Sequence, residues 1–172
     1  MQRRRWIEDL NTWEGFSYLR LKGVPMKRSK NGGLIDFDTS KLEKLVAQGI
    51  LQNQVPLRGK ELRLLRSATR LSMNKFAQKL GITNTAIYHW EKAEKQRLMI
   101  INEIAVKLLC AEELGVELIN QGFSRLRGDE RHEPISIQVT GKRPTKKQYK
   151  VKTLLKPSYR GDRKVKVRVK QP

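Results

Sequence analysis

The rhythm of apolar and polar residues changes along this chain, and each change predicts a different kind of element. Over 19–22, Leu19 and Leu21 alternate with Arg20 and Lys22, the period of two of a half-buried strand. This stretch runs to Met26, then LysAsnGlyGly and LeuIleAspPhe follow, so 18–37 predicts a hairpin. From Asp38 the period lengthens. Leu42, Leu45, Val46 and Ile50 form the stripe of an amphipathic helix, with Ser40 and Glu43 at capping-box spacing and the helix ending near 52–54, before Pro56. Trp6 and Trp13 fall outside these elements, and anchoring a small core is the commoner use of such residues.

Residues 56–120 read as helical almost throughout. Leu62, Leu65 and Ala68 mark a support helix over 57–70. The stretch 71–93, LSMNKFAQKLGITNTAIYHWEKA, predicts two short helices joined by a tight turn. Ser72 can cap the first, Phe76, Ala77 and Leu80 share its inner face, and Gly81 follows where a helix stops in a left-handed conformation. Thr83 can cap the second. Its inner face is marked by Ile87 and Trp90, which leaves Asn84, Thr85, Tyr88 and His89 pointing outward. Helices pinned this way, with hydrogen-bonding side chains near the start of the second, are what a helix-turn-helix needs to enter a major groove. From Leu98 to Cys110 the chain is apolar over much of a helix's circumference and predicts a final helix or two ending near Val116. Part of that surface closes the core, and the remainder is a candidate twofold dimer contact.

Beyond 120 the pattern is polar, then strand-like. GlyAspGluArgHisGluPro suggests an exposed linker over 121–134 in which His132 is solvated, and 135–140 alternates as a short strand. In 149–155 and 164–170 apolar residues alternate with basic ones. As strands, the second of these would set Val165, Val167 and Val169 on one face and Lys164, Lys166, Arg168 and Lys170 on the other. The expected organisation is a hairpin and helix in 1–55, a helix-turn-helix domain in 56–120, a linker in 121–134 and a basic, β-prone arm in 135–172. The fold class is therefore mainly α: a five-helix helix-turn-helix DNA-binding domain with a small N-terminal lead-in and a strand-rich C-terminal extension.

Charge points to the partner. Lysine and arginine outnumber aspartate and glutamate by 37 to 17, with a pI near 10.4, so a polyanion is expected. The excess is uneven. Residues 141–172 hold thirteen basic residues against Asp162 alone, whereas 57–122 hold eleven against seven. A membrane surface is the rival polyanion, but no apolar run approaches the roughly 20 residues of a span, and no apolar segment follows MQRRRW as a secretory signal would need. The expected location is cytoplasmic. Cys110 is the single cysteine, which excludes an intrachain disulfide and a cysteine-based zinc site and marks a small buried residue. Two histidines, one cysteine and scattered carboxylates form no nucleophile–base pair or phosphate loop, so neither an enzyme nor a cofactor is expected.

The run RLLRSATRLSMNKFAQKLGITNTAIYHWEKAEK resembles the Cro/cI-type (XRE) helix-turn-helix family, in which an arginine, a Leu-Ser-Gln-x-x-x-Ala core, a Leu-Gly-[Ile/Val]-[Ser/Thr] turn and a Trp-Glu pair recur. The upstream PLRGKELRLLR also resembles antitoxin-type regulators of the MqsA/YgiT and HigA kind. The resemblance implies that Arg66 pairs with Glu91 to tie the first helix to the recognition helix. It implies base contacts from Asn84, Thr85, Tyr88 and His89, for which Asn, Thr and His have suitable donors and acceptors. Phosphate contacts would come from Arg70, Ser72, Lys75, Lys92 and Lys95, with Lys164, Lys166, Arg168 and Lys170 of the arm adding sequence-independent ones. The chain departs from these families in two ways. Met73 stands where the first usually has a backbone-clamping glutamine, and the zinc-binding cysteine pairs of the MqsA kind are absent. The expected function is a dimeric, sequence-specific repressor binding an inverted-repeat operator in double-stranded DNA, with the narrower version an antitoxin that also binds a protein toxin. The alternative is a general nucleic-acid or RNA-binding protein acting through its basic arm.

Overall fold

The computed structural model describes residues 5–53, 55–118, 134–140 and 150–154, of which 138, 140 and 150–154 are described through their backbone. The chain divides into two compact units: Ser40–His132, whose described elements are helices, and Met1–Thr39 together with Glu133–Pro172, whose described strands form a sheet. The helical unit is thus an insertion, in sequence, within the sheet unit.

The sheet is built on β2 (Leu19–Ser29), whose first residues alternate as expected. Along one edge it pairs antiparallel with β1 (Arg5–Leu10). Along the other it pairs antiparallel with β3 (Gly32–Ile35) over 26–29 and parallel with β4 (Ile135–Thr140) over 19–22. β5 (Lys150–Leu154) then adds antiparallel to β4. Five strands from both ends of the chain make a single sheet. The mainly α expectation is thereby corrected: the fold is mixed α/β. Local pattern identified the hairpin and the strand at 135–140, but their parallel pairing joins positions more than a hundred residues apart, which no local periodicity encodes.

One residue makes that junction. Between the pairs Glu8↔Val24 and Leu10↔Leu21, β2 has one residue more than β1, so the strand bulges at Lys22 and Gly23. Gly23 adopts φ +70°, its N–H donates to Asp9 Oδ1 at 2.7 Å, and a Cβ there would lie 2.7 Å from the Val139 carbonyl oxygen. The bulge also shifts the alternation by one. Leu19 and Leu21 before it and Val24 and Met26 after it are all buried, on the same face as Ile135, Ile137 and Val139. Trp13 and Phe16 belong to this core, stacked with centroids 6.4 Å apart. Trp6 does not: it lies on β1, 38 % exposed, over Gly33.

The helical unit contains α1 (Thr39–Gln52), α2 (Gly59–Thr69), α3 (Met73–Leu80), α4 (Asn84–Lys92) and α5 (Ile100–Leu114). Four of these fall in 56–120, and α1, assigned with the hairpin from sequence, clusters with them. α1 starts before the expected Ser40 cap, and Glu43 instead accepts a hydrogen bond from Ser67 Oγ of α2 at 3.3 Å. At the start of α2 the Glu61 carboxylate turns back to accept the Arg58 N–H at 3.1 Å, which lets a fully buried acid satisfy a helix terminus. α2 packs against both α4 and α5, and Leu62, Leu65, Ala68, Phe76, Ala77, Ile87, Ile104 and Val106 close the core among them. α5 is less apolar inside than its sequence suggests. Glu103 is fully buried and receives Lys107 Nζ at 2.8 Å and Arg97 Nε at 2.9 Å, while burial holds the Lys107 ammonium below its ordinary pKa against the opposing pull of Glu103.

No helix among the described residues is long and apolar enough to cross a membrane. The linker assigned to 121–134 lies outside the described residues, His132 included, up to position 133; the arm is described only at 135–140 and 150–154.

Two measurements check this packing. Gly23→Ala forces a Cβ onto the Val139 carbonyl at a left-handed φ and is expected to cost roughly 2–3 kcal/mol in urea denaturation; an unaltered midpoint would mean that the strand does not make this approach. Burial pushes the Cys110 thiol up to about 12, so at pH 8 it is protonated in the folded chain, whereas an unfolded cysteine, near 8.5, is partly thiolate. Thiol reagents at pH 8 are therefore expected to label it only in denaturant, and equal rates with and without denaturant would contradict its burial.

Candidate nucleic-acid interface

The helix-turn-helix segment forms from local signals. Ser72 Oγ accepts the Lys75 N–H at 3.3 Å and caps α3, while Thr83 Oγ1 accepts the Ala86 N–H at 3.2 Å and caps α4. Between them Gly81 is left-handed. Its N–H reaches Gln78 O at 3.1 Å and the Ile82 N–H reaches Ala77 O at 3.0 Å, a Schellman closure that satisfies the last carbonyls of α3. Three residues thus turn the chain from α3 to α4. Phe76, Ala77 and Ile87 are fully enclosed, and Leu80 and Trp90 are half-buried.

The C-terminal half of α4 is fastened to α2. Arg66 Nε donates to Glu91 Oε1 at 2.6 Å and Arg66 Nη2 donates to Oε2 at 3.1 Å, a bidentate pair with 8 % of the Glu91 side chain exposed. Arg63 adds a contact that sequence reasoning missed. Its Nη2 donates to the Glu91 carbonyl at 2.9 Å and its Nη1 lies 3.3 Å from Glu94 Oε1, so it occupies the carbonyl end of α4. The signal was available, since Arg63 precedes Arg66 by three residues and shares its helical face. Gly59 was missed too. A Cβ at this position would sit 2.3 Å from the Trp90 carbonyl oxygen, so only glycine lets the start of α2 meet the end of α4.

The outward residues follow from this fastening. Asn84, Thr85, Tyr88 and His89 are all exposed. Asn84 Nδ2 donates to Asn74 Oδ1 of α3, a cross-turn amide pair that leaves Asn84 Oδ1 and a second N–H facing out. Asn74 had not been singled out; it directly follows Met73. The Tyr88 ring meets His89 edge-on at 5.7 Å and lies 5.5 Å from Lys92 Nζ, which draws an expected phosphate contact toward the aromatic cluster. Arg70, Ser72, Lys75 and Lys95 are exposed, Arg70 as the left-handed end of α2 at φ +62°. Lys79 is turned away: it pairs with Glu113 of α5 at 2.7 Å, and that hydrogen bond raises its pKa. Lys164, Lys166, Arg168 and Lys170 lie outside the described residues. No family model, curated protein or solved structure matches the chain.

Glu91→Ala would leave the Arg66 guanidinium half-enclosed without its counter-ion. The expected loss is roughly 2–4 kcal/mol in thermal or urea unfolding, with Glu91→Gln falling between Glu91→Ala and wild type because its amide oxygen still accepts one Arg66 N–H. An unchanged midpoint in Glu91→Ala would show that the pair does not hold α4.

Proposed function

We propose that the chain is a sequence-specific DNA-binding transcriptional regulator of the helix-turn-helix type, a binding protein rather than an enzyme, acting in the cytoplasm. The observation that carries this reading is the arrangement of α4: its far end is anchored to α2 through Glu91, and its near half presents Asn84, Thr85, Tyr88 and His89 to solvent. An anchored helix with exposed amide, hydroxyl and imidazole groups in its first two turns has the chemistry to read base edges, Asn toward adenine, Thr toward a thymine methyl and His toward guanine. The likeness to Cro/cI-type regulators supports the same assignment. The Met73 departure leaves backbone clamping to Ser72, Lys75 and Arg70.

The reading is of a homodimeric repressor. Met99, Ile100, Ile101 and Leu108 are exposed at the start and along one side of α5, with Ala105 between the last two, an apolar stripe that a second copy would cover. A twofold dimer implies an inverted-repeat operator with half-sites about 34 Å apart. The narrower proposal, from the antitoxin-like flank 56–66, is a regulator that represses its own operon and binds a protein toxin.

Selection of bound duplexes from a random pool is expected to enrich such an inverted repeat, and enrichment of no motif at moderate salt would overturn the reading. Alanine at Asn84, Thr85 or His89 should each reduce discrimination between the selected site and random DNA by roughly 1–3 kcal/mol without altering the thermal midpoint. Wild-type discrimination in every variant would show that α4 is not the reader.

A further inference from the structure

Most of the net positive charge of this protein belongs to the sheet unit and not to the helical unit that contains α4. The sheet unit holds 21 lysines and arginines against 7 acidic residues, while the helical unit holds 16 against 10. Within the helical unit, Arg63, Arg66, Lys79, Arg97 and Lys107 are spent on carboxylates of the same unit.

The sheet's topology gathers part of this excess. With Leu19, Leu21, Ile135 and Ile137 buried on one face, the intervening Arg20 and Lys22 are exposed on the other. Register carries that face across the strands: Lys22 pairs with Gln138 and Gln138 with Lys152, while Arg20 pairs with Ser136 and Thr140 with Lys150. Position 22 of the hairpin therefore lies about 10 Å from position 152 of the distant arm across two strand spacings, with position 20 in line with 154 and position 150 two residues further along β5 than 152. Of the other cations on β1 and β2, Arg5 and Lys27 share Asp36 at 2.9 Å and 3.2 Å. Among the described residues, Arg20 and Lys22 have no such partner, and the nearby Asp9 carboxylate accepts the Gly23 N–H.

We infer that this outer sheet face is a second binding surface, taking the sugar–phosphate backbone of duplex DNA without regard to sequence. The inference rests on the reading of the chain as a DNA-binding protein, and it adds a site that α4 does not contain. Its chemistry is that of point charges spaced along extended strands, suited to phosphates and offering nothing to distinguish bases. It divides the labour: α4 selects the site, and the sheet supplies salt-sensitive affinity that the weakly charged helical unit lacks.

The test uses the full chain and a random-sequence duplex of about two helical turns, with affinity followed against salt concentration. Arg20→Gln combined with Lys22→Gln should reduce the slope of log affinity against log salt by roughly 2 and weaken binding tenfold or more near physiological salt. Lys150→Gln combined with Lys152→Gln should do the same. Lys30→Gln combined with Lys44→Gln removes equal charge from exposed positions elsewhere and should leave the slope near wild type. An unchanged slope in the first pair, or an equal fall in the control, overturns the inference. So does a first pair that loses binding to phosphatidylserine vesicles or to double-stranded RNA while keeping its DNA slope. Discrimination between selected and random DNA reports α4 separately. Its absence beside an altered slope sinks base reading alone, and its persistence beside an unaltered slope sinks the sheet alone.

Discussion

The helical unit depends on a carboxylate that has almost no water. Glu91 is 6 % exposed, and an isolated acid there would be strongly disfavoured. Arg66 makes the burial tolerable by meeting both oxygens in the planar, two-pronged geometry that arginine alone provides. Because each partner is costly without the other, α2 and α4 are held to one relative placement. Arg63 on the α4 carbonyls and the missing side chain at Gly59 narrow it further. The base reading proposed for α4 would require this rigidity, since base-edge hydrogen bonds fail when donors move by an ångström or so.

The sheet follows a different logic. Its long edge is filled by two strands in succession, β3 from the same hairpin and β4 from beyond the helical unit. Parallel pairing demands a crossover, and here the crossover is a whole helical unit rather than a single helix. Gly23 is where the two parts of β2 are reconciled, its bulge restoring the inward alternation and its bare Cα admitting the Val139 carbonyl.

What could be read in advance divides along the same line. Caps, turn and inner face of α3 and α4 are short-range signals, and Ser72, Gly81, Thr83, Phe76 and Ile87 occupy the places their neighbours dictate. The Arg66–Glu91 contact is remote in sequence and came from family likeness. β1 carries no usable signal, because its residues are nearly all exposed and RWIEDL has no steady alternation. The mixed α/β class was missed for a related reason: each strand is locally modest, and only pairing between ends of the chain makes them a sheet. Glu103 and Lys107, four apart on α5, were passed over because two opposite charges on a helix usually face water, whereas Arg97 completes a buried cluster around them. Asn74 was overlooked because its role lies across the turn.

Insertion of the helices between β3 and β4 also orders events in time. The last residue of α5 is synthesised some forty residues before the end of β5, a lead of roughly 2–8 s at ordinary elongation rates. During that interval the nascent chain has every residue of α4 and of the α2 clamp, while the hairpin waits with an unfilled edge at 19–22. The strand that fills this edge brings the lysine-rich arm with it, so completion of the sheet and acquisition of just over half of the net positive charge belong to one late stage.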